Sequence, residues 1–483
     1  DGLPRPERKA LQRASVVGRL FWDDAVADLL QLDLDNLTPE LESIRRRELI
    51  FRREHSSFAG TCEYIFKHAL LRDVTYETVL LKNRAELHGR VARWLEANAG
   101  ERLGEYLGLI AEHYIESGEG LRAAELLERA AGEAFATGLY AAAGRGLERA
   151  LALREAAGEM DSPAITHALI SLGEVYRRLF DFPAAEATLG RGLIGALTAG
   201  DEEAAALARA NLLAVAVELG QFDQARALRD ETLPAARAVG GRTLIVALDM
   251  ARLLEWVTGD LDAAESHARE ILGLAQQMGD LAHESRSLNI LASIAHIRRE
   301  HAEAERLYQE SLALARRSNN PDREAVALAN LGNHYYACAE YDNAVTFGNA
   351  ALSAFREMGL DGSVLMALGN LAQANLMLGD RQSARDGATE ALALARKVGA
   401  EPYVAWAVSL FGQILIAEGR PARGLALYGL VRVHPALTAD VRLEIDEALA
   451  ALALPREELE AELAAGTGLD LTTVVGEILD GKW

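Results

Sequence analysis

The chain has 483 residues, a net charge of −22, 50% apolar and 6% aromatic residues, 41 glycines and 11 prolines. So few rings among so much Ala, Leu, Glu and Arg favour helix over sheet, and the acidity argues against a nucleic-acid groove as the main surface. Cys62 and Cys338 lie far apart, which gives no disulfide framework or Cys-based zinc site and fits two reduced thiols in a cytosolic protein.

No apolar run approaches the roughly 20 residues of a membrane span, and no signal peptide is visible. The first residue is Asp1 rather than Met, so the chain reads as a piece of a longer polypeptide. Residues 1–100 hold 16 basic and 16 acidic residues, so the whole charge deficit falls after residue 100. That shift predicts two regions with different work.

In chain order, residues 7–18, 23–32 and 38–48 carry helical apolar spacing, as in Leu37, Leu41 and Ile44. Two strand-like runs follow, LIFRR at 49–53 and CEYIF at 62–66, joined by a polar loop containing Gly60. Three helices and a two-stranded wing predict a winged-helix domain over 1–83. FKHALLRDVTYETVL, 66–80, continues as a helix in which Phe66, Leu70 and Val74 recur at four with Leu71 beside them. Residues 84–96 form a further helix with Leu87, Val91 and Leu95 inward, within connecting helices at 84–120. Arg72 and Asp73 can pair locally, and Arg45, Arg46 and Arg47 read as a solvated helix end. With its neutral balance, the winged helix is not expected to read DNA.

From about 121 to 435 the chain repeats. Turn positions fall at Phe180, Gly220, Gly259, Arg299, Ala339, Gly379 and Gly419, 39 or 40 residues apart, with an earlier one at Gly138. A small residue follows five later each time: Ala143, Ala185, Ala225, Ala264, Ala304, Ala344, Ala384 and Gly424. Only a small side chain lets the second helix of a pair approach the first so closely. Residues 330–344, NLGNHYYACAEYDNA, carry Leu331, Gly332, Tyr335, Tyr341 and Ala344, and in this they resemble the tetratricopeptide repeat. The period near 40 exceeds that family's 34, so each helix should be about a turn longer. The resemblance implies an all-α fold, a right-handed α-solenoid of stacked helix pairs.

In such arrays the first helix of each pair lines a concave face. Mapped from the turns, the groove-facing residues are Glu174 and Arg177; Asp249 and Trp256; Arg286, Asn289 and His296; Asn333 and Tyr336; Gln373 and Met377; Trp406 and Gln413. Aromatics and amides on such a wall suit a protein or peptide partner. Asn211, Asn330 and Asn370 fall nine before their turns and are expected to bond within the scaffold. Weak helical patterns at 437–452, 455–465 and 471–479 predict capping helices over 436–483.

F-K-H-A-L-L-R-D-V-x-Y-E, followed by a basic segment and L-H-x-x-V-A, is similar to the end of the winged-helix module in bacterial signal transduction ATPases with numerous domains. There an ATPase module precedes the winged helix and repeats follow it; many members carry a class III adenylate or guanylate cyclase domain. The resemblance covers about 5–100. It implies a regulatory region that relays a partner or ligand to an upstream nucleotide switch of the same polypeptide. It also implies that His68 contacts the phosphates of bound nucleotide. The residues alone show a His at a strand-to-helix junction, equally suited to capping or packing. A constitutive scaffold, or the sensing part of a transcription regulator, are the rival readings.

No catalysis is expected. G-x-x-x-x-G-K-[ST] is absent. Gly190, Gly192 and Gly195 form a G-x-G-x-x-G, but inside a repeat helix and after no strand. His283-Glu284 lacks a second His at the spacing a zinc protease needs. No cofactor, metal, nucleic acid or membrane partner is expected.

Overall fold

Each turn position read from the repeat has a left-handed backbone. In a computed structural model describing residues 2–160, 162–399, 401–435, 437–452 and 454–483, φ is positive at Gly138, Phe180, Gly220, Gly259, Arg299, Ala339, Gly379 and Gly419. A left-handed residue ends one helix and reverses the chain into the next. An acidic or amide residue often follows and caps the new helix. Asp181, Asp201, Asp260, Asp280, Asn320 and Asp380 each accept from the amide three residues on.

The chain forms two compact units, Asp1–Leu254 and Glu255–Trp483. The first opens with α1 (Arg5–Val17), β1 (Leu20–Trp22), α2 (Asp23–Leu30), α3 (Leu34–Arg46), β2 (Ile50–Arg52), β3 (Glu63–Phe66) and α4 (Ala69–Glu77). The strands pair antiparallel in the order β1-β3-β2, with Phe21 opposite Tyr64 and Phe51 opposite Ile65. The hairpin of β2 and β3 matches the sequence reading. β1 does not appear in it, because three residues are too few to show an alternation.

α5 (Leu81–Asn98) covers this sheet. Its Trp94 stacks on Trp22 at 5.6 Å and meets Phe58 edge-on at 5.4 Å. Glu63 is 1% exposed beneath these rings. It accepts from the Ser57 amide (2.8 Å) and hydroxyl (2.6 Å), Arg53 (2.6 Å) and Trp22 (3.2 Å). Burial raises its pKa, but these bonds outweigh burial and hold the carboxyl below its usual range.

The reading of 66–80 as one helix needs correction. Phe66 ends β3 and is buried, whereas Leu70 and Val74 of α4 are 72% and 53% exposed. The backbone is extended through His68, so the recurrence at four spans a strand and a helix and forms no common face. Leu87, Val91 and Leu95 do point inward.

The first unit continues with α6 (Leu103–Ser117), α7 (Gly120–Ala136), α8 (Tyr140–Ala156), α9 (Pro163–Arg178), α10 (Phe182–Ala199), α11 (Glu202–Glu218), α12 (Phe222–Val239) and most of α13 (Gly241–Thr258). The second holds α14 (Leu261–Met278), α15 (Leu281–Ile297), α16 (His301–Arg317), α17 (Pro321–Ala337), α18 (Tyr341–Glu357), α19 (Asp361–Met377), α20 (Arg381–Val398), α21 (Glu401–Ala417) and α22 (Pro421–Val433). α9 to α21 run 16–18 residues each, consistent with the long period. The fold is an all-α helical-repeat solenoid type with one small sheet.

The small residue five after each turn is buried in every repeat. At Gly424 even a methyl would sit 2.5 Å from the Gly412 carbonyl. Two of the G-x-G-x-x-G glycines have the same use, and Gly190 has open space beside it. A methyl at Gly192 would lie 2.9 Å from Ile170, and one at Gly195 2.6 Å from Thr166. α23 (Ala439–Ala450), α24 (Arg456–Gly466) and α25 (Leu471–Leu479) follow the three tail patterns. Gly429 and Gly466 let α24 and α22 touch backbone to backbone, since a methyl at either would lie 1.9 Å from a carbonyl oxygen of the other helix.

Candidate functional site

In the first unit, His68 is exposed at the N-terminus of α4, extended at φ −131° and ψ 139°, and makes no capping hydrogen bond. Arg72 donates to the Ser15 carbonyl at 2.8 Å and pairs with Asp73 at 3.1 Å, as its neighbour in sequence allows. Arg45 and Arg47 pair with Glu42 and Glu7, which suits the helix-end reading. Beside α4 lies a cavity of about 420 Å³ lined by Arg19, Arg72, Tyr76, His88, Glu112 and His113 among others.

Tyr76 is held between two guanidinium groups, Arg72 at 4.9 Å and Arg84 at 4.5 Å from its ring. Its hydroxyl meets His88 Nε2 at 2.8 Å, and His88 Nδ1 meets His113 Nδ1 at 2.8 Å. Both imidazoles are buried, at 4% and 5% exposure. Burial first, with Arg72 and Arg84 adding, pushes His88 down to about 4. Burial and the neighbouring His88 do the same to His113, also about 4. The pair is therefore neutral at pH 7, one ring donating and the other accepting.

Among the expected groove residues of this unit, Glu174 is half-buried and lines a cavity of about 340 Å³ with Glu128, Phe135, His167 and Ser171. Arg177 is 5% exposed and donates to Glu218 at 2.9 Å. Asp249 is 5% exposed and accepts two bonds from Arg252, at 3.0 and 2.9 Å. Arg177 and Asp249 are thus engaged inside the scaffold.

In the second unit, Trp256, Arg286, Gln373 and Gln413 are half-buried and Met377 is exposed. Asn289 accepts from Asn330 at 3.2 Å, and the exposed Asn333 accepts from Asn370 at 2.7 Å. These amides link successive repeats, and Asn211 bonds the Leu207 carbonyl, so all three asparagines nine before a turn bond within the scaffold. Asn333, Tyr336 and Asn370 come together around one narrow cleft. The Tyr336 ring lies 5.7 Å from that of Tyr341. Burial, then Tyr341, then Glu444 raise its pKa. Trp406 is buried with its ring over Gly369, where a methyl would lie 1.8 Å from it. It packs one repeat on the next rather than presenting a face. His296 is half-buried and meets His334 Nδ1 at 3.0 Å through its own Nδ1.

The sequence reading missed His88, His113 and the partners of His296. A signal for the last existed. His296 and His301 flank one turn, and His334 and Cys338 precede the next.

A model of the tetratricopeptide repeat matches residues 284–357, spanning α15 to α18. Among solved structures, the chain is similar to a signal transduction ATPase with numerous domains with a tetratricopeptide repeat sensor from Pyrococcus horikoshii. That likeness has 16% identity and a TM-score of 0.60, covering 95% of this chain and 66% of that one. It shows a shared fold, and this chain spans just under two thirds of that protein. Looser likenesses are the quorum sensor NprR from B. thuringiensis and the Rap conjugation gene regulator of plasmid pLS20. The first has 14% identity, TM-score 0.49 and coverage of 77% and 97%; the second 14%, 0.46, 74% and 94%. At those TM-scores they inform no functional argument. Comparison with curated proteins finds no match. Among the described residues, no helix is long and apolar enough to cross a membrane.

Proposed function

We propose that this chain is the non-catalytic sensor region of a bacterial signalling ATPase. Its repeats take up a protein or peptide, and a winged-helix domain at 1–83 relays that event to an upstream nucleotide switch. The carrying observation is the order of parts. A helix–strand–helix–helix–hairpin block ending in FKHALLRDVTYE is followed by long-period helix pairs. A protein named for that ATPase class and for a repeat sensor shares the fold over nearly the whole chain. α4 supports a relay surface, because it leaves Leu70 and Val74 exposed beside His68 with no capping bond. The link to a nucleotide cyclase belongs to the same proposal and rests on the family resemblance alone.

For the input, Trp256, Asn333 and Tyr336 have accessible surface to give, and Glu174 lines a cavity in the other unit. The connecting helices at 84–120, the array at 121–435 and the caps at 436–483 complete this domain scheme.

The test is affinity capture with the 483-residue chain and its Trp256→Ala/Tyr336→Ala variant, read by mass spectrometry. The groove reading expects a partner whose capture falls tenfold or more in the variant, about 1.4 kcal/mol; equal capture by both would move the site elsewhere. In the full-length protein, His68→Ala should speed ADP release, and unchanged release would leave His68 a structural junction.

A further inference from the structure

Three imidazoles and a thiol converge where two repeats of the second unit meet. His296 ends α15, His301 begins α16, His334 lies in α17 and Cys338 follows it. One nitrogen from each ring can be chosen so that all three lie within 4.8 Å of one another. The Cys338 Sγ is 3.5 Å from His301 Nδ1 and 3.7 Å from His334 Nε2. In a tetrahedral site with bonds of about 2.0–2.3 Å, donor atoms stand roughly 3.3–3.6 Å apart. The three ring nitrogens lie within reach of one ion, and Cys338 borders two of the rings.

Comparison among the repeats shows that these four residues are not what the scaffold requires. Where His334 stands, five before its turn, the other repeats place Glu133, Val175, Val215, Leu254, Ile294, Ala374 and Ile414. Where His301 stands, two after, they place Phe182, Phe222, Leu261, Tyr341, Arg381 and Pro421. Cys338 answers to Thr137, Leu179, Leu219, Thr258, Arg298, Leu378 and Glu418, a position with no fixed residue type. His334 is 2% exposed, in a slot that six of the seven other repeats fill with an aliphatic side chain. A polar ring in such a slot costs stability unless it is partnered.

The partners also differ from those of three other histidines in the chain. His167, His267 and His283 each face a carboxylate, Asp201, Glu255 and Asp280. Among the described residues, the rings of His296, His301 and His334 hydrogen-bond one another and Cys338, and no carboxylate. A neutral imidazole carries a lone pair on one ring nitrogen, the donor a metal ion takes up. His301 is exposed and Cys338 half-exposed, which leaves a path for an ion.

We propose that His296, His301, His334 and Cys338 bind one divalent transition-metal ion of borderline softness, such as zinc. Three imidazoles with one thiolate suit that class and disfavour magnesium or calcium, which take oxygen ligands. Binding releases the thiol proton. The ion would join α15 and α16 of one repeat to α17 of the next, making that junction depend on metal. This assignment stands apart from the sensor reading and survives its failure.

The test uses the whole chain, reduced and stripped with chelator, titrated with Zn²⁺ by calorimetry and with Co²⁺ by absorption. The wild type should bind one ion at micromolar Kd or tighter, with a thiolate-to-cobalt charge-transfer band, tetrahedral d–d bands and a raised Tm. His301→Asn and Cys338→Ser change accessible groups at helix ends, so the fold should persist by circular dichroism. Each should weaken binding at least tenfold, and Cys338→Ser should abolish the charge-transfer band. No binding, octahedral cobalt without that band, or equal binding by the double variant would overturn the site. Loss in His301→Asn with full binding in Cys338→Ser would overturn the four-ligand assignment.

Discussion

Between residues 20 and 94 the core is built from large rings, Phe21, Trp22, Phe58, Tyr64, Phe66 and Trp94, each held by a particular neighbour. From α7 onward the helix contacts instead pass through Ala185, Ala225, Ala264, Ala304, Ala344 and Ala384, the same small residue at the same place. A core of unlike large groups suffers most when one is removed. A core of close backbones suffers most when something is added.

The largest expected effect breaks the first half of that contrast. Trp94→Ala should cost about 3–5 kcal/mol, since it empties the stack on Trp22 and leaves Asp24 without its indole donor at 2.9 Å. Hydrogen exchange should localise the loss to the front block, and a loss spread evenly over the repeats would contradict the contrast.

Acidification comes next. The His88–His113 pair titrates near 4 when folded, below the ordinary 6.5. The unfolded chain therefore takes up protons first as pH falls. The stability this pair contributes is complete above about pH 6.5 and is lost toward pH 4, with a slope of about 1.4 kcal/mol per pH unit for each proton. Unfolding midpoints of the first unit should fall between pH 6.5 and 5, and His88→Asn/His113→Asn should flatten that fall.

The second half of the contrast is tested by Ala225→Leu. Three added carbons at a fully buried contact should cost about 1–3 kcal/mol by overpacking, whereas Ala225→Gly should cost only about 1 kcal/mol. Urea midpoints of both variants decide it, and a harmless leucine would refute the close-contact reading.

The smallest effect is a gain. Phe180 holds a left-handed turn at φ 62° and is 78% exposed. Phe180→Gly should therefore stabilise by about 0.5–1 kcal/mol, provided relief of that strain exceeds glycine's added unfolded-state entropy. An unchanged or lowered Tm would reject it.

The repeats were legible in the sequence because their constraints are local. A turn and a small residue five later sit at fixed offsets, so eight turns could be placed, and the apolar patterns of the tail placed its three helices. Side-chain direction was less legible. Trp406 at a groove-mapped position lies instead over Gly369 of the preceding repeat, a complementarity that exists only once the helices are stacked. Leu70 and Val74 carry a helical recurrence with no core behind them. The four convergent metal-ligand types share no motif, because their proximity is set by the step from one repeat to the next.

α4 buries none of its nine residues. A helix that short is not stable by propensity alone. It is retained by the Arg72 bond to the Ser15 carbonyl, by Arg84 of α5 over the Tyr76 ring, and by Leu71 and Tyr76 packed against the core. Its amides should exchange by local opening at a free energy well below that of α5, which buries Leu87, Val91, Trp94 and Leu95. The segment after His68 should then open locally at little cost while the ring core beneath stays folded.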